Sequence, residues 1–193
     1  LDEFCSKVQF MNYDSYRAMF ESWNSRLWDN TSGVLLWMSH PAWPSVEWQT
    51  YSWDYETFGS YYGSKKACEP LHIQMNLHDR KVIMVNTTGN TVRNVNVRLS
   101  CHDIKGRTIR RQDAKGLTMT SNSKTEVFTA DTDGIEGVYV VRLRMTDGRG
   151  RLISENDYLM RGEGTEDFKA LGSVAQAKLK AKALKPSENG SRR

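Results

Sequence analysis

Leu71-His72-Ile73-Gln74-Met75-Asn76-Leu77 alternates apolar and polar side chains without a break. Such a period of two belongs to a strand with one face on a core and the other turned away from it. Working downstream, the same pattern recurs. Lys81-Val82-Ile83-Met84-Val85-Asn86 follows the turn residues Asp79-Arg80, and Val92–His102 sets Val95, Val97, Leu99 and Cys101 on one face. Further strands are expected at Thr108–Asp113, Lys124–Thr129, Gly137–Thr146 and Arg151–Met160. Turn signals part them: Thr88-Gly89-Asn90, Lys105-Gly106, Asp133-Gly134 and Asp147-Gly148-Arg149-Gly150. Seven short antiparallel strands in about ninety residues predict an immunoglobulin-like β-sandwich over residues 71–162.

Upstream the grammar differs. All six tryptophans fall between Trp23 and Trp53, so the chain changes character at about residue 70. Tyr16, Met19, Phe20, Trp23 and Leu27 recur at helical spacing, which predicts a helix over 13–27 with Asp14 or Ser15 as cap. Gly33-Val34-Leu35-Leu36-Trp37-Met38 is a short continuous apolar run. It suits a strand buried on both faces, as in a parallel sheet. A loop with two prolines, His40-Pro41-Ala42-Trp43-Pro44, leads on to a second helix near Phe58–Cys68, stopped at Glu69-Pro70. Helix, buried strand, loop and helix make one and a half βα units, too few to close a sheet.

Charge excludes one class of function. The formal net charge is +4, but six of the 27 Lys and Arg lie in residues 176–193 beside one acid, Glu188. The rest of the chain is near neutrality, so the basicity belongs to a tail and no nucleic-acid surface follows from it. Residues 163–193 read as a linker and basic tail, helical over Ala177–Leu184 and disordered at the very end. No run of eighteen apolar residues predicts a membrane span. The start, Leu1-Asp2-Glu3-Phe4-Cys5, lacks the features of a signal peptide. Cys5, Cys68 and Cys101 are too scattered for a disulfide framework or zinc site. His72 and His78 on one strand lack a third ligand, so no metal or other cofactor is expected. Asn30, Asn86 and Asn189 each open an Asn-x-Ser/Thr triplet.

The stretch 33–45 with Trp53-Asp54-Tyr55 and Gly59 to Gln74 resembles glycoside hydrolase family 2, in its exo-β-glucosaminidase and β-mannosidase branch. Gln9-Phe10-Met11-Asn12-Tyr13 with Arg17-Ala18-Met19-Phe20-Glu21 resembles that branch's seventh barrel helix. Leu152 to Leu159 resembles the last strand of its sandwich, and Glu166 to Leu171 the link to a further domain. The likeness covers residues 5–172. It implies a mostly β chain: the last one and a half βα units of a (β/α)8 barrel over residues 1–70, then the sandwich. Enzymes of this kind use two glutamates about 5–5.5 Å apart. The resemblance places both before this chain begins, and no Asn-Glu pair occurs in it. No catalytic residue is therefore expected here, and the chain alone should hydrolyse nothing.

Trp37, at the C-terminal end of the barrel-like strand, is either core or a flat wall for a sugar ring. The resemblance favours the wall and implies a cis peptide between Trp37 and Met38. His40 and Trp43, on the following loop, are candidate sugar contacts; an ordinary loop histidine and a packing anchor are the alternatives. Trp48, Trp53, Tyr55, Tyr61 and Tyr62 are expected to pack the last helix. Glu47, Asp54 and Glu56 read as caps or solvated loop residues. The partners implied are a β-linked saccharide and the remainder of a glycosidase, or self-association through residues 1–68; no nucleic acid or membrane is expected. The compartment stays open, with a secreted, periplasmic or vacuolar parent compatible. A stand-alone carbohydrate-binding module or adhesion-type sandwich is the competing reading. It requires aromatic residues displayed on the sandwich itself.

Overall fold

The computed structural model describes residues 1–45, 49–174 and 180. Helix α1 spans Asp2–Asn24 and α2 spans Gly59–Ala67. Seven strands follow: β1 Leu71–Met75, β2 Lys81–Asn86, β3 Val92–Asp103, β4 Thr108–Met119, β5 Ser123–Thr129, β6 Val138–Thr146 and β7 Leu152–Arg161. A 3-10 turn follows β7 at Lys169–Ser173. Two antiparallel sheets result, one of order β1-β2-β5 and one of order β4-β3-β6-β7. This is the sandwich that the period-two stretches predict. Their bounds shift by a residue or two, except that β4 runs on to Met119.

The core lies between the sheets. Ile73, Met75, Val82 and Met84 of one sheet pack in one cluster with Val97, Leu99, Cys101, Val141, Leu143, Met145 and Tyr158 of the other. Alternation along β3 and β6 produces this directly, since one residue in two must point inward. Two hairpin turns repeat one solution. Asp103 Oδ1 accepts the Lys105 and Arg107 N–H groups, and Asp147 Oδ1 accepts those of Arg149 and Arg151. The glycines inside them, Gly106 and Gly150, sit at φ +78° and +80°, where a Cβ is strained.

Helices α1 and α2 pack on each other through glycine. A Cβ on Gly59 would stand 2.1 Å from the Gln9 carbonyl oxygen, and one on Gly63 would stand 2.2 Å from that of Tyr13. Only a missing side chain permits the backbones to approach so closely. Gln9 Oε1 also accepts the Gly59 N–H at 2.6 Å.

The upstream half departs from expectation in three places. Helix α1 begins at Asp2, well before residue 13, so Asp14 and Ser15 lie inside it. Residues 33–38 form no strand and join no ladder. A strand of a parallel sheet needs a neighbour to receive its N–H and C=O groups; neither sheet has an edge there. Leu35 is 99% exposed as a result. The Trp37–Met38 bond is trans, as is every peptide bond described. Among the described residues, no helix is long and apolar enough to cross a membrane. The helix expected over Ala177–Leu184 falls outside the described residues, apart from Lys180.

Candidate functional site

Two regions collect chemically capable side chains: the aromatic loop after α1, and a buried polar cluster where α1 meets the sandwich.

In the loop, Trp37 is 91% and Trp43 68% exposed. Both side chains are open to solvent, and an indole face is the kind of surface that stacks on the C–H face of a pyranose. His40 is tied more closely. Its Nδ1 lies 3.1 Å from Ser39 Oγ, and its ring stands 5.0 Å from that of Tyr55 at an interplanar angle of 40°. The Ser39 carbonyl accepts N–H bonds from Thr50 and Tyr51 and the Thr50 hydroxyl. Those three bonds tie Thr50 and Tyr51 to Ser39, next to the His40–Tyr55 ring pair. Sequence spacing gave no sign of this pairing, which assigns Tyr55 to the loop rather than to helix packing. Tyr51, Tyr61 and Tyr62 do pack together, with centroids 5.3 and 5.2 Å apart in succession. Trp53 stays half-exposed. Glu47 and Trp48 lie outside the described residues. Asp54 accepts from the Ser52 hydroxyl, which holds its carboxyl below the usual range, and lies in an exposed turn with Glu56. Among the described residues, no hydrogen bond or ion pair links it to a second carboxylate across a cleft.

The buried cluster is built from residues whose type does not advertise it. Arg17 and Glu21, four apart on α1, are the helix residues turned fully inward, at 3% and 4% exposure. Glu21 Oε1 accepts from Asn156 Nδ2 at 2.5 Å and lies 3.1 Å from His72 Nε2; its Oε2 accepts the Tyr158 hydroxyl at 2.9 Å. The Arg17 guanidinium donates to Asn156 Oδ1 at 2.9 Å, to the Asp157 carbonyl and to Asp14, and stacks 4.4 Å from the centroid of Tyr158. Gln74 Nε2 reaches the Glu21 carbonyl at 2.7 Å. Glu69, between α2 and β1, accepts from Ser154 Oγ at 2.6 Å and Lys66 Nζ at 2.6 Å, and its Oε2 lies 3.3 Å from His72 Nδ1. Burial pushes the Glu69 carboxyl up, but the hydrogen bonds outweigh it and bring its pKa to about 2. The cluster locks the helix pair to the sandwich; a buried charge without such partners would cost several kcal/mol.

His72 is therefore a buried structural histidine, while His78 is an exposed turn residue beyond the end of β1. They do not share the strand that their spacing suggests. Among the described residues no group of three His, Cys, Asp or Glu is arranged to hold a metal ion. The Asn86 triplet is also structural. Asn86 is fully buried, and its Nδ2 lies within bonding distance of the Asn90, Met119 and Thr120 carbonyls.

Residues 78–161 match the model of the mannosidase Ig/CBM-like domain. The mannosylglycoprotein endo-β-mannosidase of Lilium longiflorum is 32% identical over 175 residues, covering 89% of this chain and 18% of the relative. The exo-β-D-glucosaminidase of Amycolatopsis orientalis is 31% identical over 163 residues, covering 82% of this chain and 16% of the relative. The crystal structure of the A. orientalis exo-chitosanase CsxA superposes with a TM-score of 0.78 at 30% identity, over 83% of this chain and 20% of that one. A β-D-mannosidase from Dictyoglomus thermophilum shares the fold, with a TM-score of 0.70 at 20% identity over 82% of this chain and 20% of that one. The chain thus spans less than a quarter of the length of these relatives. Through a region that contains a mannosidase Ig/CBM-like domain, it belongs to the exo-β-D-glucosaminidase and β-mannosidase branch of glycoside hydrolase family 2.

Proposed function

We propose that this chain is the non-catalytic C-terminal portion of a retaining β-glycosidase acting on β-linked sugars of the mannoside or glucosaminide type. Residues 1–70 complete the barrel, residues 71–162 support it as a sandwich, and residues 163–193 follow as a linker and tail. Trp37 lines the sugar subsite, with His40 and Trp43 on the loop above it. The two glutamates that cleave the bond lie outside this chain.

One observation carries the reading: residues 33–38 are a continuous apolar run that stays uncovered, with Leu35 and Trp37 almost wholly exposed. At about 25 cal/mol per Å2 such a surface is costly to leave in water. It calls for a cover, and parallel strands on either side would supply both the cover and the missing backbone partners. The names of the relatives, glucosaminidase and endo-β-mannosidase, supply the substrate class. Trp37 lies within an apolar run that reads as the last barrel strand, and strand ends on that side of a barrel carry the active site.

The test is turnover of p-nitrophenyl β-mannoside, β-glucosaminide and β-galactoside by the chain alone, with a tryptophan-fluorescence titration by β-linked disaccharides. No turnover, and sugar binding weaker than about 1 mM, are expected of a subsite with one wall. Turnover abolished by Asp54→Asn or Glu56→Gln would overturn the reading and make the chain an enzyme. Tight binding unaffected by Trp37→Ala would favour a stand-alone carbohydrate-binding sandwich. Against that alternative, no tryptophan follows Trp53, so the sandwich has no indole platform.

A further inference from the structure

His72, at the start of β1, is fully buried between two carboxylates that reach it from different elements. Its Nε2 is 3.1 Å from Glu21 Oε1 on α1, and its Nδ1 is 3.3 Å from Glu69 Oε2 in the connector after α2. A neutral imidazole carries one N–H. It could donate to one of these acceptors and would turn a lone pair toward the other. Only the imidazolium serves both.

The surrounding groups fit that charge. On α1, Arg17 and Asp14 accompany Glu21; on α2, Lys66 pairs with Glu69 at 2.6 Å. On β7, Tyr158 and Asn156 bond to Glu21, and Ser154 bonds to Glu69. On β2 the residue opposite His72 is Val85, which brings no charge. With His72 protonated, three cations (Arg17, Lys66, His72) balance three carboxylates (Asp14, Glu21, Glu69). Loss of the proton leaves a net negative charge in a site where burial denies it full hydration.

We propose that His72 is a proton-operated clasp: protonated, it joins the α1–α2 pair to the sandwich, and its deprotonation loosens that junction. Burial alone would lower its pKa, but the hydrogen bonds from its ring to Glu21 and Glu69 more than reverse this, so the value stands above the ordinary 6.5. A group whose folded pKa is raised contributes stability that is complete below its unfolded value and lost as pH rises through its folded value. The clasp is therefore closed at pH 6.5 and below and opens on the alkaline side of it. The helices it releases are those that carry the aromatic loop between them, so proton binding on the sandwich side sets how firmly that loop is held.

The experiment uses the full chain with 13C-labelled histidine, assigning His72 by comparison with His72→Gln, and follows amide exchange of Glu21–Asn24 from pH 6 to pH 9. Protection factors, corrected for intrinsic exchange, should fall at least several-fold across that range in the parent chain. The His72 ring should still carry both N–H protons at a pH where free histidine in the same buffer has lost one. In His72→Gln the protection should be low and independent of pH. Should that variant fail to fold, Glu69→Gln takes its place. Removing one of the two carboxylates should move the loosening to lower pH, which a merely space-filling histidine would not do. A His72 ring already neutral at pH 6, a His72→Gln profile parallel to that of the parent chain, or an unmoved midpoint in Glu69→Gln would overturn the proposal.

Discussion

Tyr158→Phe keeps the buried ring in the core of the sandwich and removes one oxygen. That oxygen donates to Glu21 Oε2 at 2.9 Å and accepts the Met75 N–H at 2.9 Å, in a site 1% exposed to solvent. Its removal takes a donor from a buried carboxylate, worth roughly 1.5–3 kcal/mol, and leaves a buried backbone N–H without an acceptor, worth roughly 1–3 kcal/mol. Asn156 Nδ2, 3.0 Å from the same oxygen, also bonds Glu21 and the Ile73 carbonyl and so loses little. Allowing for some relaxation, the expected loss is about 3 kcal/mol, a large part of the 5–15 kcal/mol that holds a domain together. Urea denaturation followed by circular dichroism measures it, and amide exchange at Met75 locates it. The midpoint should fall with little change in slope, and the Met75 amide should be among those that lose most protection. A loss below about 1 kcal/mol would refute the reasoning, because it would mean that Glu21 and Met75 find other partners and the cluster is not closed to water.

Three further outcomes are expected. Gly63→Ala should destabilise the chain by roughly 1–3 kcal/mol by driving α1 and α2 apart, whereas Gly172→Ala, with nothing within 4 Å, should change the thermal midpoint little. On acidification, stability should decline as pH falls from about 5 toward 2. Glu69 drops from 4.5 unfolded to about 2 folded, worth roughly 3 kcal/mol at most and about 2 after allowing for partial exposure; Glu69→Gln should flatten that limb of a pH–stability curve. Asn86→Ala should cost roughly 2 kcal/mol in chemical denaturation by leaving carbonyls of the β2–β3 turn and the end of β4 unpaired, and expression in a glycosylating host should leave Asn86 unmodified in folded material, as mass spectrometry would read.

The sandwich was legible because its determinants are local. Val95, Val97, Leu99 and Cys101 alternate on β3, turn residues such as Asp147-Gly148-Arg149-Gly150 stand between strands, and burial of one face follows from the period alone. Family membership was legible for a different reason, in the order of residues from Gly33 to Gln74. What the sequence could not decide depends on partners distant along the chain. The apolar spacing of Tyr16, Met19, Phe20 and Trp23 marked one face of α1 as the inner one, yet Arg17 and Glu21 are the residues that dock on the sandwich. Their acceptors and donors come from Asp157, Asn156 and Tyr158, some 140 positions away, and a charge pair is buried only where such partners arrive. His72 likewise reads as an ordinary strand position until Glu21 and Glu69 close on it. Residues 33–38 show the converse: their composition suits a doubly buried strand, but a strand exists only when neighbours complete its ladder. Alternation along a chain is a property of the sequence itself; the pairing of charges and of strand edges belongs to the assembled structure, because it requires atoms that the local segment does not contain.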